Sequence, residues 1–138
     1  MSEAPKLKPM PASTPDTAKY WEMAAKHEFW LPRCVDTGCF FFPPTDTSPF
    51  TGGNVHWEKA SGRGTLASFV ISHVAAPGFE APYVIALVDL EEGPRLTSNL
   101  LDAPARPEAL QIGMALEVAF EQRGDMSIPQ FKLAARGA

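Results

Sequence analysis

From Val55 onward the alternation of apolar and polar positions is strand-like. Gly64 to Val74 is a long run rich in β-branched and aromatic residues, and Tyr83 to Leu90 is almost wholly apolar. Glu91-Glu92-Gly93-Pro94 reads as a turn, so Arg95 to Leu101 completes a hairpin with the run before it. Pro107 opens a stretch, Arg106 to Ala109, with room for only a short helix. Leu116, Val118 and Phe120 alternate with Glu117, Ala119 and Glu121, which is the period of a half-buried strand. Gly124-Asp125 turns the chain, and Ile128 to Leu133 reads as the last strand. Three strands, a short helix and two strands are the order of a five-stranded Greek-key OB barrel. An unrelated small barrel or a sandwich would give a similar pattern.

The first third of the chain has a different texture. Pro5, Pro9 and Pro11 interrupt a polar stretch, which predicts a disordered tail over residues 1–13. Thr14-Pro15-Asp16 reads as a helix start: Thr14 caps, Pro15 takes the first helical position and Asp16 complements the dipole. The predicted helix runs to about His27, with Trp21, Ala24, Ala25 and Glu28 on one face. Phe29-Trp30-Leu31 and Cys39-Phe40-Phe41-Phe42 are short apolar runs either side of the turn-like Asp36-Thr37-Gly38, predicting a small hairpin. Prolines and glycines up to Asn54 then predict a looped excursion. Three units are therefore expected: the tail, a helix-plus-hairpin arm over 14–54, and the barrel over 55–138.

Composition narrows the function. A chain of 138 residues, 45% hydrophobic and 20% charged, is globular and buries roughly two-thirds of its unfolded surface without needing a disulfide or metal. No apolar run reaches the ~20 residues of a membrane span, and Met1 to Pro15 lacks a signal core, so a cytoplasmic location is expected. The net charge of −4 argues against a general nucleic-acid binder. Splitting the chain does not rescue that idea: residues 1–54 carry five basic and six acidic groups, and residues 55–138 seven and ten.

Four stretches together resemble the zinc-ribbon/OB-fold family of acyl-CoA-associated proteins, domain-of-unknown-function family 35. They are Tyr20-Trp21 leading to Leu31-Pro32-Arg33-Cys34; Phe42-Pro43-Pro44; Trp57 with Ser61-Gly62-Arg63-Gly64-Thr65 running on to Pro82 through Gly93; and Ile112 through Val118 ending at Pro129-Gln130-Phe131. The resemblance covers roughly residues 14–134. It implies a barrel that docks on a thiolase-type or other acyl-CoA enzyme and helps hold or channel the acyl-CoA thioester, with no catalytic residues of its own. The ribbon departs from the family pattern. Cys34 keeps the first ligand position, but Thr37, Ser48 and Thr51 stand where the resemblance expects cysteines. Hydroxyls are poor zinc ligands beside thiolates, so the ribbon is expected to be a metal-free loop held by Phe40, Phe41, Phe42 and the prolines.

Individual residues carry competing readings. Cys34, Cys39, His27 and His56 form a salvage metal set, set against ordinary buried or idle thiols. His73, beside the Gly-containing loop that ends at Phe79, is either a ligand contact or a partly exposed strand residue. Asp89, Glu91, Glu92 and Asp102 are paired acid/base carboxylates or a solvated polar edge. OB folds stack bases on aromatics, so CoA adenine is a plausible counterpart for such a surface. The candidate ligand contacts are His73, Phe79 and Tyr83, with Lys59, Arg63, Arg95, Arg123 and Lys132 for phosphates. Tyr20, Trp21, Trp30 and Phe41 are the candidate partner interface. The expected protein is a non-catalytic accessory subunit with no resident cofactor and a CoA thioester as ligand; a homo-oligomer stays open. The alternatives are a single-stranded nucleic-acid-binding OB protein, and a small enzyme using His73 or Cys34.

Overall fold

Thr14 caps a turn and not the helix. Thr17 donates its amide to the Thr14 carbonyl at 3.0 Å, and the two hydroxyls lie 3.0 Å apart. The helix α1 (Ala18–Ala25) therefore starts a turn later than Thr14-Pro15 predicts. It buries Tyr20, Met23 and Ala24, so of the predicted face Ala24 is buried, Trp21 and Glu28 are half-buried and Ala25 is exposed. The cause is aromatic: Tyr20 packs edge-on to Phe29 and Phe42 at centroid distances of 6.1 and 5.7 Å. His27 ends the segment with a φ of 58° and lays its ring parallel to Phe120, 4.9 Å away. The structure, a computed structural model, describes residues 11–75, 80–101 and 103–134. Phe79, Asp102 and most of the expected tail lie outside those residues.

The strand β1 (Trp30–Cys34) pairs antiparallel with β2 (Val55–Lys59) as a two-stranded sheet. Two readings of the sequence change here. Cys39 to Phe42 does not form the second strand of a hairpin; its ladder contact shrinks to one bridge, Arg33 with Phe40. Pro43 and Pro44 follow at once, and without amides they cannot extend a ladder. Val55–Lys59, grouped with the barrel by its pattern, instead returns to pair with the arm.

Five strands form the closed barrel: β3 (Arg63–Ser72), β4 (Tyr83–Leu90), β5 (Arg95–Leu101), β6 (Ala115–Arg123) and β7 (Met126–Leu133). A 3-10 turn, Pro107–Ala109, stands between β5 and β6 where the short helix was expected. The order around the barrel is β3-β4-β5-β7-β6. The pairing of β3 with β4 slips between Leu66 and Ser68, a bulge that bends β3 so that its start also reaches β6. Closure is parallel and short, with Leu100 opposite Phe131 and Leu101 opposite Lys132. Beyond that point the Gln130 side chain replaces the backbone ladder. Its Oε1 accepts from the Ser98 hydroxyl at 2.8 Å and from the Asn99 amide at 3.0 Å.

Inside the barrel, Leu66, Val88, Leu116 and Phe131 are essentially sealed from solvent. Phe29 of the arm meets Phe131 edge-to-face at 6.0 Å, so arm and barrel share one apolar cluster. No helix among the described residues is long and apolar enough to cross a membrane.

Candidate functional site

The β4 strand buries Val84, Ala86, Val88 and Leu90, so Tyr83, Ile85 and Leu87 face outward. All three are half-buried. Between this outer face and the arm runs a groove of about 590 Å³. One wall is Tyr20, Trp21 and the Phe42-Pro43-Pro44 segment; the other includes Tyr83, Ile85, Asn99, Ile128 and Gln130. Burial pushes the Tyr20 phenol above its usual range, so it stays a neutral hydroxyl. The Trp21 indole nitrogen is buried and has no acceptor among the described residues. A buried indole N–H ordinarily finds a partner, so Trp21 Nε1 stands on the groove wall as a buried donor left unsatisfied among the described residues. Arg123 lines the groove too, but its Nε donates to Glu121 at 2.7 Å and both side chains are largely buried. Its charge is therefore balanced locally.

The groove thus unites Tyr20, Trp21, Tyr83 and Arg123 from the residues singled out in the sequence. It does not gather the others. His73 is exposed just past the end of β3, and Lys59 is exposed on β2. Arg63 pairs with Glu91 and Arg95 with Asp89, each at 2.7 Å, and Lys132 lies 3.5 Å from Glu117. Hydrogen bonds from the two arginines hold Glu91 and Asp89 below the usual carboxylate range. These carboxylates are partners of arginines, not of each other, which is the solvated-edge arrangement. Two interface candidates are corrected: Tyr20 and Phe41 are 7% and 5% exposed, drawn into the chain's own aromatic packing. Trp30 is tied down by its Nε1 bond to Glu28 at 2.9 Å, with Lys19 over its ring. Reasoning from sequence missed Ile85, Asn99, Ile128 and Gln130. The signal was present for Ile85 alone: a strand apolar at both parities, as β4 is, has both faces covered.

A second constellation sits at the tip of the arm. Cys34, Thr37, Ser48 and Thr51, the positions at which the resemblance expects metal ligands, do converge. The Thr37 amide donates to Cys34 Sγ at 3.4 Å, and Thr51 Oγ1 lies 3.8 Å from the same sulfur. Hydroxyls of Ser48 first, then Thr37, lower the Cys34 thiol to about 7. One sulfur and three hydroxyls do not make a zinc site, which calls for four thiolate, imidazole or carboxylate donors. No group of three or more such residues comes together among the described residues, so the salvage set does not assemble either. His27 is stacked on Phe120, while Cys39 and His56 are exposed.

A two-knuckle arm sharing its core with a closed five-stranded OB barrel defines a ribbon–OB protein. The chain belongs to the DUF35 family of such proteins. Family models match in two parts: the ChsH2 rubredoxin-like zinc ribbon domain over residues 21–47 and the ChsH2 C-terminal OB-fold domain over residues 57–121. A DUF35 domain-containing scaffold protein of Pyrococcus furiosus is 33% identical over 115 residues, covering 80% of this chain and 79% of that one. A probable enoyl-CoA hydratase alpha subunit of Thermomonospora curvata is 34% identical over 132 residues. That match takes in 93% of this chain but 40% of the hydratase subunit, so the chain spans less than half of that relative's length. A solved Ltp2-ChsH2(DUF35) aldolase superposes with a TM-score of 0.81 at 31% identity, covering 91% of this chain and 100% of the matched one.

Proposed function

We infer that this chain is a non-catalytic accessory subunit of an acyl-CoA-processing enzyme of thiolase, hydratase or aldolase type. Its groove receives the uncharged part of the CoA thioester, the pantetheine arm or the acyl chain, in a cytoplasmic setting. The observation that carries this reading is the groove itself. Its walls are mainly apolar, and a buried donor without a partner among the described residues, Trp21 Nε1, matches an amide carbonyl. The local balance of Arg123 by Glu121 speaks for a neutral segment there and not for the phosphates. The relatives support the setting, since their names describe scaffold proteins and subunits of hydratase and aldolase enzymes.

The test is calorimetry of an acyl-CoA against the chain in complex with the enzyme that co-purifies with it, for the wild type and Trp21→Phe. The variant keeps the ring and removes the N–H. Loss of one hydrogen bond of about 1.4 kcal/mol corresponds to roughly tenfold weaker binding. Purification without any acyl-CoA enzyme would sink the accessory role. Equal affinities in wild type and variant would remove the thioester from this groove.

A further inference from the structure

The two knuckles of the arm are near-copies in backbone terms. In the first, Gly38 donates its amide to the Cys34 carbonyl at 2.8 Å; in the second, Gly52 does the same to Ser48 at 2.8 Å. The amide three residues after each leading residue points at that residue's side chain: Thr37 N–H to Cys34 Sγ at 3.4 Å, Thr51 N–H to Ser48 Oγ at 3.3 Å. Gly38 and Gly52 have φ values of 72° and 73°, the left-handed conformation that closes each knuckle and that glycine adopts without strain. The two turns thus share one backbone form, built around one thiol and three hydroxyls.

Other bonds do the joining. The Thr51 hydroxyl of the second knuckle donates to Asp36 Oδ2 of the first at 2.8 Å and accepts the Gly53 amide at 3.1 Å. Cys34 and Ser48 fill the centre, at 0% and 4% exposure. The flanks are tied by Val35 N–H to Asn54 O at 3.1 Å and Ser48 N–H to Gly53 O at 3.0 Å. We propose that a hydrogen-bonded clamp of Asp36, Thr51, Ser48 and Cys34 takes the place of the metal, so that the arm folds without zinc while both knuckle backbones keep a metal-ready form. A buried thiol surrounded by hydroxyls is a satisfied centre, whereas a hole left by zinc would strand the knuckle amides. The proposal concerns the arm alone and stands apart from the reading of the groove.

Three measurements on the full chain test it. Protein grown with added zinc is analysed for metal and melted with and without a chelator. Little zinc and an unmoved Tm are expected; about one zinc per chain, with a chelator-sensitive Tm, overturns the proposal. The triple variant Thr37→Cys, Ser48→Cys, Thr51→Cys is titrated with cobalt. About one equivalent, with the intense absorption of tetrahedral cobalt thiolate, is expected. A triple variant that is folded by circular dichroism yet takes up no cobalt contradicts the metal-ready backbone. Asp36→Ala is placed in both backgrounds: it should lower the Tm of the wild type but not that of the metal-loaded triple variant. No loss in the wild type overturns the clamp, and this arm of the test holds even if the triple variant fails to fold.

Discussion

At the centre of the barrel stand Leu66, Val88, Leu116 and Phe131, none more than 1% exposed. At the centre of the arm's tip stands a cysteine, equally inaccessible, but ringed by Ser48, Thr37 and Thr51. The first centre is held by apolar burial, which is indifferent to direction and scales with area. The second is held by directed bonds, each of modest net worth and each dependent on a particular atom. The contrast shows why the two parts tolerate change differently. A barrel core accepts other apolar side chains of similar volume. A knuckle built around hydroxyls and one thiol needs every donor to find its acceptor.

The comparison is sharpest at Phe131, which belongs to both sides because Phe29 of the arm packs on it. Phe131→Ala should lower stability by about 3–5 kcal/mol, read by urea denaturation. With a shared cluster, arm and barrel should unfold in a single transition, reported alike by tryptophan fluorescence and far-ultraviolet circular dichroism. Two separated transitions would break the picture of one core. Next in size is Gln130→Ala, which leaves the Ser98 hydroxyl and the Asn99 amide without their shared acceptor at the barrel seam. A loss of about 1–3 kcal/mol is expected, and hydrogen exchange at Asn99 should quicken. An unchanged exchange rate there would mean that the seam does not depend on this side chain.

The smallest expected effect belongs to the arm and depends on pH. The Cys34 thiol is lowered from 9.0 to about 7 in the fold. The unfolded chain therefore binds more protons than the native one between those values, and stability rises with pH across that window. The contribution is complete above the unfolded value and disappears as pH falls through about 7. Thermal melts between pH 6 and pH 9, of the order of the window just given, should show the rise in the wild type and lose it in Cys34→Ser. Parallel profiles for the two proteins would remove the hydroxyls as stabilisers of the thiolate.

Much of this was legible before any coordinates. The barrel strands follow from turn residues such as Glu91 to Pro94 and Gly124-Asp125, and from alternation in β6, because those signals act within a few residues. The arm was less legible. The partner of Trp30–Cys34 is Val55–Lys59, and no local pattern tells a short apolar run which distant run it will meet. The nearer run, Cys39 to Phe42, was the natural guess and was cut off by Pro43. The groove was half legible. Tyr83, Trp21 and Arg123 stood out by type, while Asn99 and Gln130 gained meaning only once β5 and β7 were side by side.

What the chain's order of residues determined by itself was the strands of the five-strand barrel and the turns between them. Periodicity and turn chemistry are local, so they survive being read along a line. Only the tertiary structure decided that β2 joins the arm, that Tyr20 and Phe41 face inward and that Arg63 and Arg95 are matched by carboxylates. It also decided that three hydroxyl residues close around Cys34 Sγ. Each of these is a meeting of groups distant in sequence. Such meetings depend on which surfaces the shared core buries and which polar groups must then find one another.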